Sequence, residues 1–243
     1  MAGHSKWANI KHRKSKQDAA KGKMFTKVAK EIIMASKAGG GDPAANFRLR
    51  IAIDNAKAIN MPTDNINRAI ARGIGGTESD NYEEFTYEGY GPGGVAIMLD
   101  IATDNRNRTA GDIRHLFSKY GGNLGETGCV NWMFSKVGMI VVEREDSPLS
   151  EDQLLLMAAE AGADDLSGDE DSFQITCAPE AIWQVKASLE EQGVTPVSAE
   201  VTYVPSNTVA VQGDDAVRLM KLMELLDDHD DVQEVYANFD IEE

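Results

Sequence analysis

The first apolar pattern in the chain lies between residues 23 and 37 and has the spacing of a helix. Phe25, Val28, Ala29, Ile32 and Ile33 recur at intervals of three and four, so they form one face of a predicted helix. The lysines of this segment lie on the opposite face, and the glycines at 39–41 end the helix. By itself, such a lysine face is typical of a helix side that faces water.

Two further helices are predicted before residue 75. The pair Asp42-Pro43 is suited to the N-cap and first position of a helix, which follows an apolar stripe until residues 61–62 (Met-Pro) end it. Thr63 can cap a third helix, and Gly73 can end it. The pattern therefore predicts a three-helix region preceded by a basic arm.

The periodicity changes after residues 74–81, a polar stretch (IGGTESDN) that we interpret as a linker. Alternating patterns beyond it predict strands, and Ser150 opens a capping box at the start of one helix. The predicted strands are 82–90, 95–103, 130–134, 137–143, 173–177, 197–204 and 232–239. The predicted helices are 107–120, 151–162, 180–192 and 215–226.

These elements predict an α+β protein of three domains. The first, residues 1–77, is the basic helical domain with its N-terminal arm. The order of strands and helices predicts two small α/β domains of the ferredoxin-like, split βαβ type, each a sheet covered by helices on one face. Residues 78–135 with 206–243 form a discontinuous domain in this interpretation, and residues 136–205 form a domain inserted in it.

Charge is divided unevenly between these regions. The formal net charge is −16, yet residues 1–75 contain 15 Lys and Arg against 5 Asp and Glu, whereas the rest of the chain contains 9 against 35. A basic segment on an acidic body indicates that the segment contacts a polyanion while the body does not. We therefore expect nucleic-acid binding by the first 75 residues.

The candidate contact residues of this region are cations interleaved with aromatic rings, which suits phosphate contact together with stacking on an exposed base. Trp7 has an equal alternative as a core anchor. The candidates are Lys6, Trp7, Lys11, His12, Arg13, Lys14, Lys16, Lys21, Lys23, Lys27, Arg68 and Arg72.

A second basic patch begins at residues 104–109 (DNRNRT). Arg106 and Arg108 are its candidate contact residues, and Asn107 or Thr109 is expected to cap the following helix, whose free N–H groups favour a phosphate. In the equal alternative, these arginines pair with nearby acids.

Other motifs give no catalytic or metal site. Residues 89–94 (GYGPGG) fit a glycine-rich nucleotide loop in spacing, but the strand-like residues after them favour a hairpin. The acidic run 227–231 (DDHDD) lacks the glycine and distal glutamate of a calcium loop, so we expect a solvated acidic turn. The histidines and the two cysteines lack metal-ligand spacing, and no cofactor is expected.

We expect a reduced, cytoplasmic protein with buried thiols, no membrane span and no secretory signal.

Several of these segments together resemble the YebC/PmpR family. They are MAGHSKWANIKHRK at the start, GGGDP at 39–43, NRAIARG at 67–73, YEGYGPGG at 87–94, DNRNRT at 104–109 and DDVQEVYAN at 230–238. The match is dispersed over the whole chain, and its start at residue 1 suggests a bacterial member without the presequence of the mitochondrial relatives. These include the translational activator of cytochrome oxidase subunit I.

The resemblance implies a non-enzymatic regulator of gene expression with a helical domain and two α/β domains. Some members are DNA-binding transcriptional regulators, and others are translation factors that act near the peptidyl transferase centre of the ribosome. We expect a monomer that binds ribosomal RNA and relieves stalling on proline-rich sequences, with DNA as the alternative partner. An enzyme or metabolite-binding protein that uses a cleft between the α/β domains is a third hypothesis, against which the absence of a convergent catalytic set argues.

Overall fold

The computed structural model describes residues 21–75, 82–168 and 172–241. Their contacts form two compact units, one of residues Trp132–Thr208 and one of the other described residues, up to Asn131 and from Val209. The helical region therefore belongs to the same unit as the first sheet. The division into domains 1–77, 78–135 with 206–243, and 136–205 stays a prediction.

The described part of the larger unit begins with three helices, as predicted. They are α1 (Lys21–Gly39), α2 (Phe47–Ala58) and α3 (Thr63–Gly75). Their core includes Ile32, Leu49 and Ile66, which come from the three helices in turn. The helical spacing of these apolar residues places them on one side, and burial of that side holds the three helices together.

Two predicted helix boundaries in this region are wrong. The N-cap of α2 is Asn46 rather than Asp42, and its Oδ1 accepts a hydrogen bond from the Leu49 amide at 3.1 Å. The Asn46 amide also donates to the carbonyls of Ala35 and Gly40, both at 2.7 Å, so the residue joins the end of α1 to the start of α2. Gly73 does not end α3 but lies buried within it.

Gly73 allows α1 and α3 to pack closely. A Cβ atom at this position would lie 2.5 Å from the carbonyl oxygen of Ile33 and 2.7 Å from the Cβ of Ser36. Real Cβ atoms do not approach other atoms so closely, so only glycine fits without a shift of one helix.

The larger unit continues with a four-stranded antiparallel sheet. Its strands are β1 (Glu83–Tyr90), β2 (Ala96–Thr103), β3 (Asn123–Leu124) and β9 (Val232–Ala237), in the order β3-β1-β2-β9. Helix α4 (Arg106–Lys119) joins β2 to β3, which lie on either side of β1, and this connection is a split βαβ unit. Helix α7 (Gly213–Asp227) precedes β9. The core between helices and sheet contains Ile113 and Phe117 of α4 and Leu219 of α7.

The hairpin predicted around residues 89–94 is present, because β1 and β2 pair along their whole length. The strand predicted at 130–134 is wrong: residues Asn131–Met133 form a short 3-10 turn, and the third strand of the sheet is the two-residue β3. Residues Val209–Val211 (β8) pair in parallel with Phe239–Ile241 (β10), so the predicted strand 232–239 is two strands.

The smaller unit is a four-stranded antiparallel sheet with two helices. Its elements are β4 (Phe134–Glu143), α5 (Glu151–Ala161), β5 (Ala163–Gly168), β6 (Ser172–Cys177), α6 (Ile182–Glu191) and β7 (Ser198–Pro205). The strand order is β5-β6-β4-β7, which is the ferredoxin-like order. The capping box at Ser150 is confirmed, and Gly162 ends α5 in a left-handed conformation. Strand β5 was not predicted because its residues, ADDLSG, carry little apolar alternation.

Neither cysteine forms a disulfide bond: Cys177 is buried, as expected, whereas Cys129 is only half-buried. Within the described residues, no helix is long and apolar enough to cross a membrane.

Candidate nucleic-acid interface

Three lysines of α1, Lys23, Lys27 and Lys30, contact the acidic run after α7, residues 227–231, which we call the acidic turn. Lys23 Nζ lies 3.2 Å from Asp228 Oδ2, and Lys27 Nζ lies 3.3 Å from Asp227 Oδ1. Both ammonium groups also donate to main-chain carbonyls of the same two aspartates, at 3.2 and 2.7 Å. The predicted lysine face is therefore solvated only in part, because Lys23 is exposed, Lys27 is half-buried and Lys30 is buried. The acidic turn is likewise solvated only in part.

Asp231 is the most buried acid of the acidic turn. Its Oδ1 accepts from Lys30 Nζ at 3.0 Å, and its Oδ2 accepts from Arg108 at 2.9 Å, Thr109 at 2.8 Å and Thr103 at 3.1 Å. Burial alone would raise the pKa of this carboxyl, but the hydrogen bonds from Arg108, Lys30 and Thr109 outweigh burial and lower the pKa well below its usual range. The four donors and Asp231 form what we call the Asp231 cluster, in which α1, the end of β2, the start of α4 and the acidic turn meet.

The two arginines of the second basic patch have different environments, because only Arg108 belongs to this cluster. Arg108 pairs with Asp231 and also with Asp104, at 2.8 Å, and both acids raise its pKa through these hydrogen bonds. Arg106 remains exposed, with its guanidinium 4.5 Å from the centre of the Phe85 ring. The geometry at Arg108 is thus that of the structural alternative, in which the arginine pairs with nearby acids. The N-cap of α4 is Asn105, and the predicted caps Asn107 and Thr109 are wrong.

The arginines of α3 have a different environment from the lysines of α1. Arg68 and Arg72 are both exposed and lie one turn apart on α3, whereas Ile66, Ala69 and Gly73 of this helix are buried. They line a groove of about 310 Å³ between α1 and α3. This groove is the place in the described helical region where predicted contact residues and aromatic rings meet.

Half of the predicted contact residues lie outside the described residues. These are Lys6, Trp7, Lys11, His12, Arg13, Lys14 and Lys16, and both alternatives for Trp7 stay open. Lys21 is the first residue of α1. For all fourteen candidates, contact with nucleic acid stays a prediction.

Arg48, which was not predicted as a functional residue, joins the helical region to the first sheet. Arg48 of α2 pairs with Glu31 of α1 at 2.7 Å and with Glu84 of β1, and these hydrogen bonds raise its pKa.

Among the described residues, no group of three or more His, Cys, Asp and Glu side chains is placed to hold a metal ion. His229 lies 3.6 Å from Asp112, and its Nδ1 accepts from the Asp231 amide.

The Asp231 cluster could not be found by motif, because its partners are far apart in sequence. Lys30 and Asp231 are 201 residues apart, and Thr109 and Asp231 are 122 apart. The sequence did contain one signal: acidic residues at the C-terminal end of a helix oppose the helix dipole, so they need compensating cations. The lysines of α1 are those cations.

Comparison with known proteins matches nearly the whole chain. The N-terminal domain of the TACO1/YebC protein matches residues 5–76, and the TACO1/YebC second and third domain match residues 82–239. A probable transcriptional regulatory protein of Desulfitobacterium hafniense is 59% identical over 99% of this chain and 96% of its own. Another protein with this name, from Geobacillus kaustophilus, is 55% identical over 99% of this chain and 98% of its own.

A solved structure has the same fold. The crystal structure of a conserved hypothetical protein from Aquifex aeolicus is 46% identical and superposes with a TM-score of 0.85 over 93% of both chains. The fold class predicted from the sequence, a helical region followed by two small α/β sheets, is confirmed.

Proposed function

This chain belongs to the TACO1/YebC family, and from that premise we propose that it is a non-enzymatic, nucleic-acid-binding regulator of gene expression. The division of charge supports this function best. The first 75 residues are strongly basic within a chain of net charge −16, and α3 presents two exposed arginines from that segment. A polyanion is the partner that such a surface attracts, and the acidic remainder limits the orientations in which it can bind.

We propose further that the polyanion is ribosomal RNA and that the protein acts in translation. The exposed arginines and the half-buried aromatic rings lie around a groove rather than along one protruding helix. This arrangement suits the irregular surface and unpaired bases of RNA. The family resemblance supports binding near the peptidyl transferase centre. There the protein would relieve stalling on proline-rich sequences, since proline is a poor acceptor that lacks a primary amine.

Transcriptional regulation through DNA is the second candidate function. The observation that favours it is the name of the relatives from Desulfitobacterium and Geobacillus, which are called probable transcriptional regulatory proteins. Both functions use the same basic region, so charge alone does not separate them.

Translation in a purified system without transcription separates the two functions. Added protein should raise the output of a polyproline reporter and leave a matched reporter without prolines unchanged. Changing Lys11, Arg13 and Lys14 together to Ala should remove the gain. The matched control changes Lys57, an exposed lysine paired with Asp54 on α2, to Ala and should keep the gain.

The opposite result would favour DNA. In that case the wild-type protein gives no gain on the polyproline reporter, but at physiological salt it retards one promoter fragment far more than scrambled DNA of equal length. The salt concentration matters because any basic segment binds any nucleic acid at low salt.

A further inference from the structure

The groove between α1 and α3 combines an apolar floor with aromatic walls. Ile33, Met61 and Ala69 form the floor, and each is buried. Phe25 of α1 and Tyr82, which precedes β1, form the walls and are half-buried. The groove of about 310 Å³ lies at the lower end of the volume range of small-molecule pockets, so it is large enough for one flat aromatic ligand.

The charge around this groove is positive. Its described lining contains Lys30, Arg68 and Arg72 and no acidic residue. Lys30 is held by Asp231, and its ammonium lies 5.3 Å from the centre of the Tyr82 ring. Arg68 and Arg72 are exposed, so their guanidinium groups place positive charge at the mouth of the groove. In a chain of net charge −16, such a lining is complementary to an anion.

Aromatic walls and a cationic mouth together match the two parts of a nucleotide. A base can stack on Phe25 or Tyr82, its phosphates can lie at Arg68 and Arg72, and the Asn65 amide, which also lines the groove, can bond the edge of the base. A base within a duplex does not reach such a groove without being unstacked and unpaired. An unpaired base in an RNA loop is already available.

We propose that the groove between α1 and α3 binds one unpaired base of an RNA strand, with the flanking phosphates at Arg68 and Arg72. This proposal rests on the proposed function and specifies how the RNA is held. It assigns base contact to the α1–α3 groove and a structural role to the lysines that α1 directs to the acidic turn.

The first test uses the unmodified protein and a single-stranded RNA of about ten nucleotides, a length within the span of known single-strand sites. One central base is 2-aminopurine, whose fluorescence falls on stacking. A second RNA has an abasic position there and the same phosphate charge. We expect quenching on binding and a loss of about 5- to 150-fold in affinity for the abasic RNA, because stacking of one base on an aromatic side chain has this effect.

Protein variants give the second test. Ala29→Phe places a ring in the groove from α1, and Arg68→Gln removes a cation at its mouth. Both should lower RNA affinity, and Ala29→Phe should also abolish the quenching. Arg50→Gln is the matched control, since Arg50 is an exposed arginine of α2 that bonds the carbonyls of Pro43 and Ala44 and does not line the groove. Circular dichroism melts establish that each variant is folded.

The outcomes distinguish this proposal from the proposed function. Equal affinity for the intact and abasic RNAs, or quenching that persists in Ala29→Phe, would overturn the base-binding groove and leave a nucleic-acid-binding regulator. Binding of duplex DNA of equal length as tightly as single-stranded RNA would likewise overturn it. If the wild-type protein binds none of these nucleic acids in a salt-sensitive way, both proposals fail.

Discussion

Two rows of cations on neighbouring helices of this protein have opposite environments. The lysines of α1, at positions 23, 27 and 30, are each within 3.3 Å of an aspartate in the acidic turn. The arginines of α3, at positions 68 and 72, are exposed and line the groove. Both rows have helical spacing in the sequence, and Lys23, Lys27, Arg68 and Arg72 were predicted as contact residues, whereas Lys30 was not. The difference shows that helical spacing of cations does not by itself decide their environment, because the fold places an aspartate at each of these three lysines.

The contacts of the α1 lysines also explain the acids that follow α7. Lys27 donates to the carbonyl of Asp227, and Lys30 donates to the carbonyl of Asp230, both at 2.7 Å. Carbonyl groups at a helix end have no partners within the helix and carry partial negative charge. The lysines therefore compensate both the aspartate side chains and the end of the helix, and we infer that their main role is to hold the helical region against the first sheet.

The largest effect is expected at Asp231. Asp231→Ala leaves the buried Lys30 without its carboxylate, so the free energy of unfolding should fall by about 3–5 kcal/mol. The matched control is Asp228→Ala in the same turn, where the ion pair with Lys23 is exposed and its loss should cost about 0–1 kcal/mol. Urea unfolding of both variants measures this difference. Equal losses would show that the Asp231 cluster is not the main connection between helix and sheet.

A smaller effect is expected at Gly73, where α1 and α3, the helices that carry the two rows of cations, pack closely. In Gly73→Ala the new methyl group meets the carbonyl of Ile33, so the helices must separate at a cost of about 1–3 kcal/mol. Thermal melts should detect the loss. Gly111→Ala on α4 is the control, because a Cβ at Gly111 has no atom within 4 Å and alanine favours a helix. An unchanged melting temperature in Gly73→Ala would contradict the close packing.

Features that depend on residues close together in the chain could be predicted from the sequence, and features that depend on distant residues could not. The capping box of Ser150 and Gln153 was found because both residues lie within one turn. The exposure of Arg68 could be predicted because the buried residues around it on α3 recur at helical spacing. By contrast, strand β5 is polar and is defined by its pairing with β6, so no local pattern reveals it. For the same reason, the acid that covers Lys30 could not be identified from the sequence.

The sequence predicted the kind of candidate site and its place in the helical region, but not most of the residues that line it. The uneven charge led to the helical region, and Arg68 and Arg72 lie on its groove. The groove itself needs Tyr82, which follows the predicted linker and reaches the helices only through tertiary packing. Arg108 was predicted with two equal alternatives because the sequence contains many acids, and only the fold selects Asp231 among them.

Low pH should weaken the ion pairs between the α1 lysines and the acidic turn. It should not change the charge of the α3 arginines. Because the pKa of Asp231 is lowered in the folded protein, its contribution to stability is complete above the ordinary aspartate pKa of 3.8 and is lost as the pH falls below that value. Asp231→Asn should therefore be less stable than the wild type at neutral pH, and the difference should shrink at about pH 3 and below. Urea midpoints as a function of pH measure this change. A difference that is independent of pH would show that Asp231 acts through packing alone.

The smallest effect is expected in the salt dependence of RNA binding, and it tests the comparison most directly. Each phosphate contact adds about 0.9 to the slope of log K against log salt, or about 0.7 for a single strand. Arg68→Ala should lower the slope by about one contact, whereas Lys27→Ala should leave it unchanged per folded molecule, since the Lys27 ammonium is held by Asp227. Titrations between about 50 and 200 mM salt measure both slopes. A reduced slope for Lys27→Ala would mean that RNA displaces the acidic turn from α1, and then the two rows would form one binding surface despite their different environments in the free protein.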